Sequence, residues 1–381
     1  MSIFKSNKID IQAKLLYKNN LVDNIYEACT CCYNNTKNIS YLEKKEYIKK
    51  RILAGHESIL EHGRLAMKFY NIPNTLYNNI IELTSFLGFS KWLNFHSEYY
   101  ENNTYDLIVY GNIRGYKYLI YNITPFIYDN NILIRKLIKI LEENTVAELY
   151  GDINNLFDKE DIEFTFTDIE TGVNDIETKK SGISYSNIDK VIVDVPTTNN
   201  KTEKSVIVGI DIDELTKMSS DNYEYIDYEL LCDIIPVTVV FNNMSRTATH
   251  QLVRHRNAIT QESQRYVDSS NASFTIPVPE YDKDKKYSIN ILNSRFNISL
   301  DELAKELLSI YGQLQKQGLK KEEARAFLPS NVNCGRLYMT FTLKNLITFL
   351  HLRLDKHAQY EIRKYAESID QIITKYNINK S

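Results

Sequence analysis

Apolar residues recur at helical spacing through the C-terminal third of the chain. Leu343, Leu346, Ile347 and Leu350 stand three or four residues apart, which on a 3.6-residue turn is one buried face, and Arg353 falls on the Leu346 side of the same helix. Ala358, Ile362, Tyr365, Ile369 and Ile373 trace a second line and predict a last helix over residues 356–376. Leu303, Leu307, Leu308 and Tyr311 predict another from Ser299, and the run KKEEARAFLP is helical until Pro329 stops it. Earlier in the chain the pattern changes. Residues 11–17, 64–72 (RLAMKFYNI) and 237–242 (VTVVFN) have the β-branched and aromatic composition of strands. Residues 21–33 predict a helix with Val22, Ile25, Tyr26 and Cys29 on one side. Residues 152–228 are polar and acidic, with loop signals around the short strands KVIVDV and SVIVGI.

Composition narrows the class without naming a function. The chain has 381 residues, 43% hydrophobic and 25% charged, with a formal net charge of -3. Such a chain can bury a sizeable core, in two domains by length, and offers no global field for a polyanion. A dedicated nucleic-acid binder is therefore not expected. No run of 18 apolar residues predicts a membrane span, and the first ten residues lack a signal-peptide core. Cys29, Cys31, Cys32, Cys232 and Cys334 are an odd set, read as reduced thiols in a cytoplasmic protein.

One segment departs from this neutrality. Residues 246–267, RTATHQLVRHRNAITQESQRYV, hold four arginines, two histidines, three glutamines and a serine. With Ser245 as N-cap, Thr247, Gln251 and Arg254 share one helix face, and His255 follows Gln251 by one turn. The helix is expected to break near Asn257, with residues 258–264 as a loop returning Ser263 and Arg265 to the same place. Guanidiniums with amides and hydroxyls between them suit phosphate and planar heterocycle edges. A solvated, cationic helix C-terminus is the plainer alternative. Two other patterns lead nowhere: Cys29-Thr-Cys31-Cys32 matches no standard zinc pair, and His56 to His62 fails the two-histidine zinc-protease spacing, because Leu60 occupies the position one turn on.

Arg254-His255-Arg256, followed by Ser263-Gln264-Arg265-Tyr266, resembles the signature of the flavin-dependent thymidylate synthase (ThyX) family. Three further blocks agree in order: Gly55-His56-Glu57-Ser58 with Glu61-His62; Ala324-Arg325-Ala326-Phe327-Leu328-Pro329; and residues 349–353 with 357–363, FLHLR and HAQYEIR. The matched blocks lie within residues 10–72 and 233–376. The interval between Arg256 and Ser263 is one residue shorter than the family usually has. Phe341-Thr342 and Thr348 stand where a glycine-asparagine pair and a flavin-side histidine or asparagine are usual.

The resemblance implies an α+β fold, an antiparallel sheet flanked by helices, carrying an inserted second α+β module. Residues 1–72 would be its N-terminal part, 73–232 the insertion and 233–381 the catalytic part. Residues 64–150 suggest a degenerate internal copy, since RLAMKFYNI plus NTLYNNIIEL parallels VTVVFNN plus SRTATHQLVRH. On the same reading Ser97-Glu98-Tyr99-Tyr100 parallels Ser263-Gln264-Arg265-Tyr266, and residues 106–122 look like the family's glycine-asparagine helix.

The reaction implied is reductive methylation of dUMP to dTMP with methylenetetrahydrofolate, NADPH and FAD. Carried over position by position, dUMP falls to Gln251, Arg254, Gln261, Ser263, Arg265, Arg325 and Arg353. Arg353 would polarise the uracil ring, and Ser263 would act as a substrate ligand rather than a nucleophile. FAD falls to His62, Arg254, His255, Arg256 and Thr348. Family sites are built from several subunits, implying a homotetramer, or a dimer if the chain is internally duplicated. A catalytically inactive homologue that binds flavin or nucleotide remains the alternative.

Overall fold

The computed structural model describes residues 12–18, 21–33, 37–86, 92–100, 103–123, 206–209, 228–234, 236–279 and 281–375. The predicted strand KVIVDV and residues 124–150 of the suspected copy lie outside the described residues. The fold is α+β with antiparallel sheets, as expected. The chain divides into two units, the first comprising residues 1–26 and 39–187 and the second 27–38 and 188–381.

The first unit holds a four-stranded sheet in the order β1-β2-β4-β3, from β1 (Gln12–Lys18), β2 (Arg64–Pro73), β3 (Leu93–Tyr100) and β4 (Thr104–Asn112). Every pairing is antiparallel. Helix α1 (Leu21–Cys31) begins here, and α2 (Tyr41–Leu53) starts on a capping box formed by Ser40 and Glu43. A 3-10 turn, Glu57–His62, leads into β2. Helices α3 (Asn74–Phe86) and α4 (Ile113–Ile123) follow β2 and β4 directly. Gly111 sits where a Cβ would lie 2.1 Å from the Trp92 carbonyl oxygen, so only glycine admits that close strand crossing.

The second unit repeats the arrangement with β5 (Val206–Gly209), β6 (Pro236–Asn242), β7 (Ala258–Gln261) and β10 (Arg336–Thr342), ordered β5-β6-β10-β7. Helix α5 (Tyr228–Ile234) precedes β6, and α6 (Arg246–Leu252) follows it. A separate hairpin, β8 (Lys286–Ile291) and β9 (Ser294–Ser299), leads into α7 (Leu300–Lys316). Ser299 caps α7 in a box with Glu302, where the sequence predicted its start. The chain continues through α8 (Lys321–Ala324), α9 (Leu343–Arg353) and α10 (Tyr360–Lys375).

One core joins this second sheet to its helices. Val237, Val239 and Phe241 of β6 and Leu337, Met339 and Phe341 of β10 alternate onto the covered face, as period-two strands must. Against them pack Leu343, Leu346, Phe349 and Leu350 of α9, with Ile362, Tyr365, Ile369 and Ile373 of α10. Of the predicted stripes, Leu343, Leu346, Leu350, Ile362, Tyr365, Ile369 and Ile373 are buried and Ile347 is half-buried, whereas in α7 Tyr311 is buried but Leu307 is exposed. The last helix starts four residues later than expected. Asp355 accepts hydrogen bonds from the His357 backbone N–H and ring, and that turn occupies the residues just before the helix. Among the described residues no helix is long and apolar enough to cross a membrane.

Candidate functional site

Ser245 starts the basic helix as the sequence predicts. Its Oγ accepts from the Ala248 N–H at 3.2 Å, satisfying a donor that the first turn leaves free. That hydroxyl in turn donates to Glu361 Oε2, and the Ser245 N–H donates to Glu361 Oε1 at 2.7 Å. Glu361 is almost wholly buried, and burial raises its carboxyl pKa while the Ser245 bonds pull it back. At the other end of α6, the Gln251 amide donates to Gln359 Oε1. Residues 359 and 361 thus hold α6 at both ends. The sequence quoted them only as part of a motif.

After Leu252 the helix tightens into a 3-10 turn, Val253–His255, and ends at Arg256 in the left-handed region, φ 53°. A non-glycine residue there costs about 1–2 kcal/mol, and the break falls one residue before Asn257. The next segment corrects an expectation. Residues 258–261 are a strand, β7, rather than a loop, because Ala258 and Thr260 point into the unit and the backbone pairs with residues 337–340 of β10. Gln261 is therefore a strand residue opposite Leu337.

Beyond β7 the backbone is pinned. The Glu262 N–H donates to the Arg336 carbonyl at 2.9 Å and the Ser263 N–H to the Cys32 carbonyl at 3.0 Å. Burial raises the Glu262 pKa, with Arg336 opposing it. Gly335, at φ +65°, leaves room for that carboxylate, since a Cβ there would sit 2.4 Å from it. The Ser263 carbonyl closes a turn over Tyr266 and Val267, and Ser263 Oγ accepts from the Arg265 N–H.

Two groups of candidate side chains come together. In the first, Arg353 Nε donates to His255 Nε2 at 3.0 Å and its Nη2 to the Gln251 carbonyl at 3.4 Å. The His255 ring also packs edge-on against Phe349, 5.0 Å between centroids. An arginine cannot accept, so His255 Nε2 must carry the lone pair and the proton sits on Nδ1. Burial, then the adjacent Arg353 charge, lowers the His255 pKa to about 4. In the second group, Ser263 adjoins Arg265, whose Nη2 meets Glu322 Oε2 at 3.4 Å and whose guanidinium lies over the Tyr266 ring.

The remaining candidates are placed singly. Among the described residues, the guanidiniums of Arg254, Arg256 and Arg325 form no hydrogen bond or ion pair within the chain. Arg254 and Arg256 are exposed, and Arg325 is half-buried in the 3-10 turn that follows α8. Thr348 lies exposed on α9, its hydroxyl donating to the Lys344 carbonyl. His62, in the first unit, has no exposed surface, and burial lowers its pKa to about 3. The cysteine cluster has a packing role: Cys31 is buried against Val240 and Tyr338 and donates its thiol to the Arg336 carbonyl at 3.1 Å.

The pKa of His255 sets a pH expectation. The folded state resists protonation that the unfolded chain accepts near pH 6.5, so stability falls as pH drops from about 6.5 towards 4, and His62 acts in the same direction. An NMR titration of the His255 ring should show a midpoint near 4. A midpoint of 6.5 would contradict the buried contact with Arg353.

Comparison with known proteins bears on this same stretch. Residues 230–376 match the family described as "Thy1: Thymidylate synthase complementing protein". A flavin-dependent thymidylate synthase of Pyrococcus abyssi is 34% identical over 152 residues, covering 39% of this chain and 58% of the relative. The one from Clostridium tetani is 34% identical over 35% of this chain and 57% of the relative. The one from Wolbachia pipientis wMel is 38% identical over 33% of this chain and 47% of the relative. The chain thus spans about half the length of the flavin-dependent thymidylate synthases it matches. The matched residues include every candidate side chain of the second unit.

Proposed function

We propose that this protein is a flavin-dependent thymidylate synthase, converting dUMP to dTMP with methylenetetrahydrofolate as carbon donor and NADPH as reductant. The observation that carries the reading is a set of guanidiniums left unneutralised in the segment that matches the family. Arg254, Arg256 and Arg325 have no partner of their own among the described residues, and Arg353 is held by a neutral imidazole rather than a carboxylate. Unpaired cations within the stretch that matches the family suit an anionic ligand supplied from outside.

In this reading Gln251, Arg254, Ser263, Arg265 and Arg325 bind the nucleotide phosphate and sugar, and Gln261 lines the same pocket. Arg353 has its Nε tied to His255, which leaves guanidinium N–H groups for the uracil carbonyl edge. A fixed cation there stabilises the negative charge that ring attack on carbon requires. Orientation by His255 removes the need to order a long side chain during the reaction. Among the described residues Ser263 Oγ has no side-chain hydrogen-bond partner to act as a base, and it accepts a backbone bond, so it binds rather than attacks.

The second-unit donor set also fits FAD. Arg256 and Arg254 present exposed guanidiniums to a diphosphate, His255 stands between them in sequence, and Thr348 is exposed on α9. Bound there, the flavin supplies the hydride transfer that reductive methylation needs. His62 enters the flavin set from the resemblance alone. The same resemblance supports a flavin-dependent thymidylate synthase fold with an inserted module over residues 73–232, residues 152–228 being an appended polar segment. It also supports assembly as a homotetramer, or as a dimer of double-length chains.

The purified protein should show the visible absorption bands of bound flavin, or acquire them on adding FAD. A protein that stays colourless after incubation with FAD would contradict the proposal.

A further inference from the structure

The two units share more than a fold class. Each sheet places its first, second, fourth and third strands side by side, every pairing antiparallel. The registers agree as well: Arg64 pairs with Asn112 and Phe69 with Leu107 in the first unit, and Pro236 with Thr342 and Phe241 with Leu337 in the second. The helix after the fourth strand is capped in the same way. Asn112 Oδ1 accepts from the Gly115 N–H at 3.0 Å, and Thr342 Oγ1 from the Asn345 N–H at 3.1 Å. In both helices the first, fourth, seventh and eighth residues are buried. They are Ile113, Tyr116, Leu119 and Ile120 in α4, and Leu343, Leu346, Phe349 and Leu350 in α9. After the second strand, Leu76 and Ile80 of α3 are buried as Ala248 and Leu252 of α6 are, at the same distance beyond Phe69 and Phe241. Two unrelated antiparallel sheets share a strand order readily. They have no reason to share pairing register, cap position and buried helix positions together.

That register gives several site positions a counterpart. Gln251 corresponds to Asn79, Arg254 to Glu82 and Arg353 to Ile123. Ser97 and Gln261 face Leu107 and Leu337, so Ser97 answers to Gln261. The parallel drawn from sequence, Ser97 with Ser263, is two residues out of step, and Tyr99 stands at the Ser263 position. A carboxylate replaces the phosphate-binding guanidinium of Arg254, and an aliphatic side chain replaces the uracil-polarising guanidinium of Arg353. We propose that the chain contains this strand-helix unit twice and that only the second copy binds nucleotide, so that each chain holds one dUMP site and the first unit persists as framework.

The inference rests on the nucleotide site proposed above, and the test separates the two. Equilibrium dialysis of the full flavin-loaded chain against dUMP should give one nucleotide bound per chain, and Arg254→Ala should weaken that binding roughly 30- to 140-fold. Two nucleotides per chain, or one retained by Arg254→Ala at unchanged affinity, would overturn the proposal. No binding by the wild-type chain would sink the nucleotide reading instead. The copy would then be decided by a crystal structure: strands β1–β4 with α3 and α4 must superpose on β5, β6, β7 and β10 with α6 and α9 in the registers above, and a different strand order or register would refute it.

Discussion

Replacing Arg254 with alanine is expected to weaken dUMP binding roughly 30- to 140-fold while leaving the fold intact. A charge-assisted hydrogen bond to phosphate contributes about 2–3 kcal/mol, and about 1.4 kcal/mol is tenfold in affinity. Arg254 is exposed and makes no hydrogen bond or ion pair within the described chain, so its removal should change stability by no more than about 0.5 kcal/mol. Arg254→Lys should restore part of the affinity, since an ammonium is a point charge without the planar fork. Calorimetric titration beside a thermal melt reads both quantities. Unchanged dUMP affinity in the alanine variant would remove Arg254 from the site.

The largest effect on stability is expected at a residue with no proposed contact to ligand. Glu361→Ala leaves the Ser245 N–H and hydroxyl without their buried acceptor, at about 1–3 kcal/mol for each unsatisfied group, so a loss of about 3 kcal/mol is expected. The damage falls on the N-terminus of α6, which carries Gln251 and leads to Arg254. Glu361→Gln keeps the volume and one acceptor oxygen and should lose less. Burial raises the Glu361 pKa, so the wild-type carboxylate loses stability as pH rises through its folded-state value, and the gap to Glu361→Gln should narrow on the alkaline side. Urea unfolding of the three proteins measures this. Equal stability of the alanine variant and the wild type would show that the carboxylate does not secure the helix.

Much of the second unit was legible because its signals are local. The stripe Leu343, Leu346, Leu350, the Ser245 and Ser299 caps and the stop at Pro329 all depend on residues within two turns of one another. Their structural outcome follows from helix periodicity and unsatisfied end groups. What the sequence missed depends on partners distant in the chain. Residues 258–261 looked like a loop because four residues beside Asn257 carry little strand pattern, and only pairing with β10 makes them a strand. Glu361 reads as a solvated charge in an amphipathic helix until the fold brings Ser245 to it, 116 residues away in sequence. His62 was carried to the flavin on a motif, and no local pattern announces that the fold encloses it completely. The parallel of Ser97 with Ser263 followed letter similarity, whereas under the proposed duplication strand register sets Ser97 opposite Leu107 as it sets Gln261 opposite Leu337.

The arrangement of cations has one use in this account, which is to hold dUMP where a flavin can act on it. The most direct test is anaerobic. The protein is loaded with FAD, reduced, and mixed with dUMP and methylenetetrahydrofolate while flavin absorbance is followed and the nucleotide product is analysed. The account predicts that the flavin is reoxidised only when both substrates are present and that dTMP forms in equal amount. Flavin that stays reduced with both substrates bound, and no dTMP, would contradict it.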